Sequence, residues 1–465
     1  MTTSTRVLDR AAALATVEAA RRRFVGTVIT ADDRGYDDAR LVHDHSIDRR
    51  PLAIVQVGDT QDVVLAVRLA AETGLELAVR SGAHSLAGFS TGDDVLVIDL
   101  SGLKGIAIDP IARVARVQAG ATSGDLAGPA HRYGLALTTG DTSSVGIGGL
   151  ATGGGIGWFV RKVGLTIDQL RSAQVVTADG RLLTASPDQH ADLFWAIRGG
   201  GGNFGIITEF EFQLVEAAEV YGGALVLPAT REVMRGYLDY IAQAPEELTT
   251  IAFLMHAPPA PFIPESRLGE PVLNILTCWL GDLEAGEQAI APLRALAPAV
   301  ADVVGPLPYP AMYQFMEAAA APHSATIRTM FMQAFDDQAI DDSLEALDHA
   351  TSPMSMIQFR GLGGAMARVP RDGTAFAHRD AKYLFAALAL WEDPSEDRAP
   401  HQAWVDGLWG RVNRLADGAY VNFVGDEGEA RVRDAYPAST MARLAEVKRR
   451  YDPDNLFHLN QNVRP

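Results

Sequence analysis

Arg80-Ser81-Gly82-Ala83-His84-Ser85, and the run Gly140-Asp141-Thr142-Ser143-Ser144-Val145-Gly146-Ile147-Gly148-Gly149-Leu150-Ala151-Thr152-Gly153-Gly154-Gly155-Ile156-Gly157, are the stretches whose reading decides the fold. The second holds eight glycines in eighteen residues. With no Cβ in the way, backbone N–H groups in such loops approach a phosphate closely, and two loops of this kind can clamp a pyrophosphate from two sides. The same glycines also permit close helix–strand packing, and the residues alone leave both readings open. A third run, Arg198-Gly199-Gly200-Gly201-Gly202-Asn203-Phe204-Gly205, enters an alternating strand over Ile206–Phe212 and offers another backbone approach to a flat ligand. A Rossmann fingerprint is absent: Gly146, Gly148 and Gly149 do not sit at a strand–helix turn with an acidic residue about 20 positions on. No glycine run ends in Gly-Lys-Ser/Thr, which excludes a P-loop.

Outward from these loops the chain is cleanly punctuated. Val63, Val64, Val67 and Ala71 recur at helical spacing over Thr60–Thr73, with Asp59 or Thr60 as cap and Gly74 as stop. A strand over Leu75–Val79 runs into the His84 loop, and further strands are expected over Val95–Leu100 and Arg113–Gln118. Ala173–Ala185 reads as a hairpin turned by Asp179-Gly180 as a type I′ pair, followed by a helical Asp192–Ile197. After Val215 the texture changes. Proline patches at Ala257–Pro264 and Gly305–Pro310 flank longer helices and strand-like runs at Val272–Trp279, Thr326–Gln333, Ser355–Arg360 and Tyr383–Trp391. That is the pattern of a sheet with helices packed on it.

The 465 residues suggest two or three domains, and a 48% apolar content supplies large cores. A net charge of −18 repels phosphate backbones and argues against nucleic acid as a partner. The single Cys278 excludes an internal disulfide framework and a thiolate metal cluster. The first residues lack the unbroken apolar core of a signal peptide, and no stretch approaches the roughly 20 apolar residues of a membrane span. A cytoplasmic protein without membrane association is the expectation; oligomeric state is not legible.

In order, the three glycine loops, then Tyr451-Asp452-Pro453-Asp454-Asn455-Leu456-Phe457 and Asn460-Gln461-Asn462, resemble the berberine bridge enzyme-like branch of the vanillyl-alcohol oxidase flavoproteins. The resemblance runs from about Tyr36 to Pro465 and is jointly specific, although each motif is weak alone. It implies an α+β fold of PCMH type, with an FAD-binding domain over 1–215, an inserted antiparallel-sheet substrate domain covered by helices over 216–415, and a C-terminal segment over 416–465 returning to the FAD domain. It also implies FAD held covalently through His84. A histidine in a glycine loop is ordinarily a cap or a surface residue, and the resemblance gives it this role. Carried over position by position, the cofactor-binding set is Arg80, Ser81, Gly82, Ala83, Ser85 and Gly88 around His84, then Gly140, Thr142, Val145, Gly146, Gly149, Gly153 and Gly157. Gly205, Ile206, Tyr420, Asn422 and Asn460 complete it.

The chain departs from the family in three places. Ala83 stands where glycine is usual, which is acceptable if φ there is negative. Thr142 stands where many relatives carry a second, cysteinyl link, so one link is expected. Phe423 and the strand Tyr383-Leu384-Phe385 lack the tyrosine or glutamate that serves relatives as base. The candidates left for proton transfer are Tyr420, Tyr383 and His378, with His256 behind them and Arg360 as a cation to activate a phenol. Each of these is also readable as a packed or solvated residue.

The expected reaction is hydride removal from a small organic substrate with O2 as electron acceptor, giving hydrogen peroxide. Phe253, Met255, Thr277, Trp279, Met330, Met332, Gln358 and Arg360 are expected on strands facing the flavin. Their methionines and aromatics favour an apolar, aromatic or secondary-metabolite substrate. A carbohydrate oxidase is the alternative, as is a flavin dehydrogenase or cyclase that does not use O2; Leu150 is expected to border the oxygen approach.

Overall fold

The helix after Asp59 forms over Thr60–Thr73 because both of its ends are satisfied. The Asp59 carboxylate accepts the N–H groups of Gln61 and Asp62, and Gly74 at φ 71° returns its own N–H to Ala70. Its buried Asp62 accepts three further backbone N–H groups, from Val25, Gly26 and Gly58, and so ties the helix to the neighbouring strand ends. The computed structural model describes residues 9–317 and 321–465.

Val63, Ala66 and Val67 of this helix share a core with Val55, Leu96 and Ile98 of a four-stranded sheet. The sheet is ordered Thr27–Thr30, Ala53–Gln56, Leu96–Asp99, Leu77–Arg80, and its last three strands are parallel. Behind it a five-stranded antiparallel sheet runs Ile106–Asp109, Val114–Gln118, Ile206–Gln213, Leu170–Val176, Leu182–Ala185. The 170–185 hairpin is present, but its turn is not type I′. Gly180 alone is left-handed, its N–H bonds Thr177 O, and Thr177 N–H bonds Arg181 O, which is a type I turn closed by a left-handed glycine. The Asp179 carboxylate bonds the Thr177 hydroxyl and the Arg181 N–H, which holds Asp179 out of the left-handed region that type I′ requires.

The second large body is an eight-stranded antiparallel sheet. Its main path is Ala301–Asp302, Glu219–Pro228, Pro271–Trp279, Leu248–His256, Met356–Gly361, Tyr383–Trp391, Ser324–Met332, and Gly305–Pro308 pairs beside Glu219–Pro228. One face packs on the helices Arg231–Ile241, Leu283–Arg294, Asp337–Asp348 and Arg398–Val412. Side chains alternate across the sheet, so Ile357 and Phe359 join the helix-covered core while Gln358 and Arg360 face away from it.

The tail is pinned by charge. Lys448, on the helix Ala438–Tyr451, bonds Asp452 at 2.6 Å, and both side chains are fully buried. Lys448 also donates to Asn203 O and Phe457 O, while Asp452 accepts the N–H groups of Leu456 and Phe457. The core around the first two sheets accordingly includes Val421, Leu444 and Phe457. No helix among the described residues is long and apolar enough to cross a membrane.

Candidate active site

A cavity opens between the glycine loops and the free face of the eight-stranded sheet. Its first wall is mostly backbone. Gly82 and Gly146 stand back to back so closely that a Cβ on either would run into the other's backbone. These two are therefore required by packing. Gly149 is different: its φ is ordinary and a Cβ there would meet nothing within 4 Å, yet it lines the cavity. At Gly202 a Cβ would meet only the Asn460 amide, at 4.0 Å. Glycine at these places leaves room that no protein atom uses, as a bound flat cofactor needs. The donor set fits FAD.

Ser81, Gly82, Ala83, His84, Ser85, Gly140, Thr142, Val145, Gly146, Gly149, Gly205, Ile206, Tyr420, Asn422 and Asn460 all line this cavity. Four expected cofactor residues do not. Arg80 turns inward to Asp99 at 2.7 Å and to the carbonyls of Ala39 and Leu41, so it is a structural ion pair at a strand end. Gly88 makes a turn against Ile47, Gly153 gives way to the Asn422 side chain, and Gly157 gives way to the Thr139 carbonyl. Ala83 corrects another expectation: its φ is +59°, in the left-handed region. An L-residue is held there at a cost of about 1–2 kcal/mol. The Ala83 carbonyl is tied by the N–H of His43.

His84 projects from this strained loop. Its Nε2 lies 2.9 Å from Ser144 Oγ, and its ring stacks on His43 with centroids 3.8 Å apart. Enclosure, followed by the neighbouring His43 and His323, pushes its pKa down to about 3, so the ring is neutral and nucleophilic at neutral pH. The Thr142 hydroxyl donates to Asp141 Oδ1 at 3.0 Å.

The opposite wall is made of side chains: Ile327, Leu388, Gln358 and Arg360 from the sheet, with Met316 and Phe423. Arg360 is buried and pairs with Asp141 at 2.5 Å, while its Nε donates to Gln358 Oε1 at 2.7 Å and its guanidinium lies 5.6 Å from the Phe423 ring centre. Asp141 is the one carboxylate among the described lining residues. It sits inside the glycine run, where a carboxylate among small residues was the available signal. Tyr420 lies deep, and its hydroxyl accepts the Gly155 N–H and the Asn422 amide, each at 3.0 Å. Burial raises its pKa, so it is a hydrogen-bond donor near neutral pH and a poor base.

The other proposed bases lie elsewhere. Tyr383 donates its hydroxyl to Leu238 O within the helix-covered core, where burial raises its pKa. His378 bonds Asp434 O and packs on Gly418, its pKa lowered by burial. His256 ends its strand away from the cavity. Of the eight residues expected to face the flavin, only Gln358 and Arg360 do so. Met330, Met332 and Trp279 pack under the helices, Phe253 and Met255 pack with Trp158 and Phe159, and the Thr277 hydroxyl bonds Gly223 O. Period-2 alternation turns Met330, Met332, Thr277 and Trp279 to the helix-covered face, whereas Phe253 and Met255 share the face of Gln358 and Arg360 and are covered there by the cluster of Trp158 and Phe159. Leu150 does line the cavity.

Comparison with known proteins agrees with this geometry. Residues 51–186 match the FAD binding domain family and residues 419–464 match the berberine and berberine-like family. The chain is 30% identical over 453 residues to (R)-6-hydroxynicotine oxidase of Paenarthrobacter nicotinovorans, covering 95% of this chain and 97% of that one. The crystal structure of 6-hydroxy-D-nicotine oxidase from Arthrobacter nicotinovorans superposes with a TM-score of 0.86 at 30% identity, over 95% of this chain and 98% of the other. A glucooligosaccharide oxidase from Acremonium strictum, described with a 6-S-cysteinyl, 8α-N1-histidyl FAD, shares the fold at a TM-score of 0.84 and 24% identity, over 98% and 99% of the two chains. Glycine loops, cavity, sheet and sequence likeness together make this chain a member of the berberine bridge enzyme-like FAD-linked oxidoreductases.

Proposed function

We propose that the protein is an oxidase that removes a hydride from a C–H bond of a small organic substrate and passes the electrons to O2, with FAD attached covalently to His84. The observation that carries this reading is the placement of a neutral His84 at the edge of a cavity whose near wall is glycine backbone. The loops 81–85, 140–149 and 201–206, with Asn460, would hold the cofactor. Bound FAD supplies the hydride acceptor.

The chain's own residues do the rest. Asp141 takes the proton that the substrate loses. Its carboxylate, paired with Arg360, can take that proton because the substrate's O–H or N–H becomes strongly acidic as hydride departs. Tyr420, with two N–H groups on its oxygen, offers its own proton to the substrate or cofactor. Arg360 and Gln358 orient a polar group, and Ile327, Leu388, Met316 and Phe423 receive an apolar body. Thr142 has no thiol, so attachment is through one link.

Acid precipitation tests the cofactor reading. Yellow colour should stay with the wild-type pellet and leave it in His84→Ala; release from the wild type would withdraw the covalent role of His84. Peroxide release is then screened with cyclic amines, aromatic alcohols and oligosaccharides. Flavin bleaching under anaerobic conditions with no peroxide in air would identify a dehydrogenase instead.

A further inference from the structure

Three histidines meet where the 81–85 loop reaches the cavity. The rings of His43 and His84 are stacked at 27° to one another, and His323 stands edge-on to His43 with centroids 4.9 Å apart. Nε2 of His84 is engaged by Ser144 Oγ at 2.9 Å. The two histidine segments are also joined through the backbone, by the His43 N–H and the Ala83 carbonyl at 3.1 Å.

We propose that Ser144 and His43 are positioning residues for the attachment of FAD to His84. Ser144 accepts Nε2–H and so leaves the lone pair on Nδ1, and the His43 ring fixes the plane in which that lone pair points. The inference rests on the covalent reading above and goes beyond it by naming the residues that aim the ring. A neutral imidazole has one protonated and one basic nitrogen, and the hydrogen bond made by one of them selects which. Rotation about χ2 would otherwise spread the nucleophile over several directions, and a stacked neighbour limits that rotation. The low pKa of His84 is consistent with this, because protonation would remove the lone pair.

In the attachment, Nδ1 bonds to the methyl carbon at flavin position 8 and one C–H bond of that methyl group breaks. The electron pair of that bond, its proton and the Nε2 proton passed on by Ser144 end on the isoalloxazine. O2 then removes two electrons and two protons as hydrogen peroxide. Serine at 144 therefore serves as a proton outlet as well as a tautomer lock.

The test compares wild type with Ser144→Ala, Ser144→Thr, His43→Ala and His43→Phe, each expressed in riboflavin-limited cells and then given FAD. Native absorbance reports total bound flavin, and in-gel fluorescence after denaturation reports the attached share over time. Ser144→Ala and His43→Ala should bind FAD but attach it about tenfold or more slowly. Ser144→Thr, which keeps the hydroxyl, and His43→Phe, which keeps the stack, should attach it near the wild-type rate. Ser144→Ala attaching at the wild-type rate, or Ser144→Thr as slow as Ser144→Ala, would overturn the proposal. If Ser144→Ala does not fold, Ser144→Cys carries the same expectation of slow attachment. Wild-type protein that holds flavin but never fluoresces after denaturation would sink the covalent reading itself, a result separate from either outcome for the variants.

Discussion

The two walls of the cavity are built by opposite means. On the near wall the shape belongs to the backbone: Gly82 touches Gly146, and Gly149 leaves a gap that no side chain fills. On the far wall the shape belongs to side chains on a rigid sheet, where Arg360, Gln358, Ile327 and Leu388 are selected by register alone. A wall of backbone suits a constant ligand that must be approached closely. A wall of side chains can be rewritten without disturbing the sheet behind it. On the proposed reading, cofactor and substrate recognition are separated within one cleft.

The largest effect expected from breaking this division is at the one lining residue that reaches across it. Asp141 belongs to the near wall yet pairs with Arg360 of the far one. Asp141→Asn should lower kcat by about a hundred- to ten-thousandfold while flavin content stays unchanged, read by steady-state peroxide release and native absorbance. An unchanged kcat would remove Asp141 from proton transfer.

Next comes the clamp that holds the near wall in place. Lys448→Met leaves Asp452 buried without a counter-ion and should cost about 3–5 kcal/mol, seen as a lower Tm. Loss of flavin should accompany the loss of stability, since Lys448 also holds the Asn203 carbonyl beside the third glycine loop.

A smaller effect sharpens the comparison. Gly149 lies inside the helix Ile147–Gly153, so Gly149→Ala should stabilise the flavin-free protein by about 0.5–1 kcal/mol while lowering its retention of FAD. Opposite signs in Tm and flavin content are the signature of a glycine kept for a ligand; parallel changes would mean it is kept for packing. Smallest of all, Met330→Leu lies beneath the sheet, away from the cavity, and should cost less than about 1.5 kcal/mol with no change in kcat or KM.

How legible each wall was follows from the same contrast. The glycine loops stand out in the sequence because absence of a side chain is itself the signal, and most of the residues named from them line the cavity. Gly153 and Gly157 misled because a glycine required by a neighbouring Asn422 or Thr139 looks the same in one dimension as one required by a ligand. Tyr383 and His378 misled for a different reason. Their strands and loops were identified well enough, but the side that each residue faces is set by segments remote in sequence, as with Tyr383 and Leu238, 145 residues apart, and His378 and Asp434, 56 apart. Asp141 was overlooked although it lies in the glycine run, because its partner Arg360 is distant in sequence and only folding makes the pair.

Local chemistry was thus settled by the sequence: the capped helix at Thr60–Thr73, the glycine loops, the family, FAD as cofactor and the missing thiol at Thr142. These depend on residues that are neighbours along the chain or on motifs whose order is conserved by the fold. Tertiary structure alone decided that Arg80 is a strut, that Ala83 is left-handed, that Met330 and Met332 are core, that Ser144 and His43 meet His84, and that Asp141 pairs with Arg360. The physical reason is that burial, pairing and facing depend on contacts between segments remote in sequence, and no local pattern encodes which segment will arrive to make them.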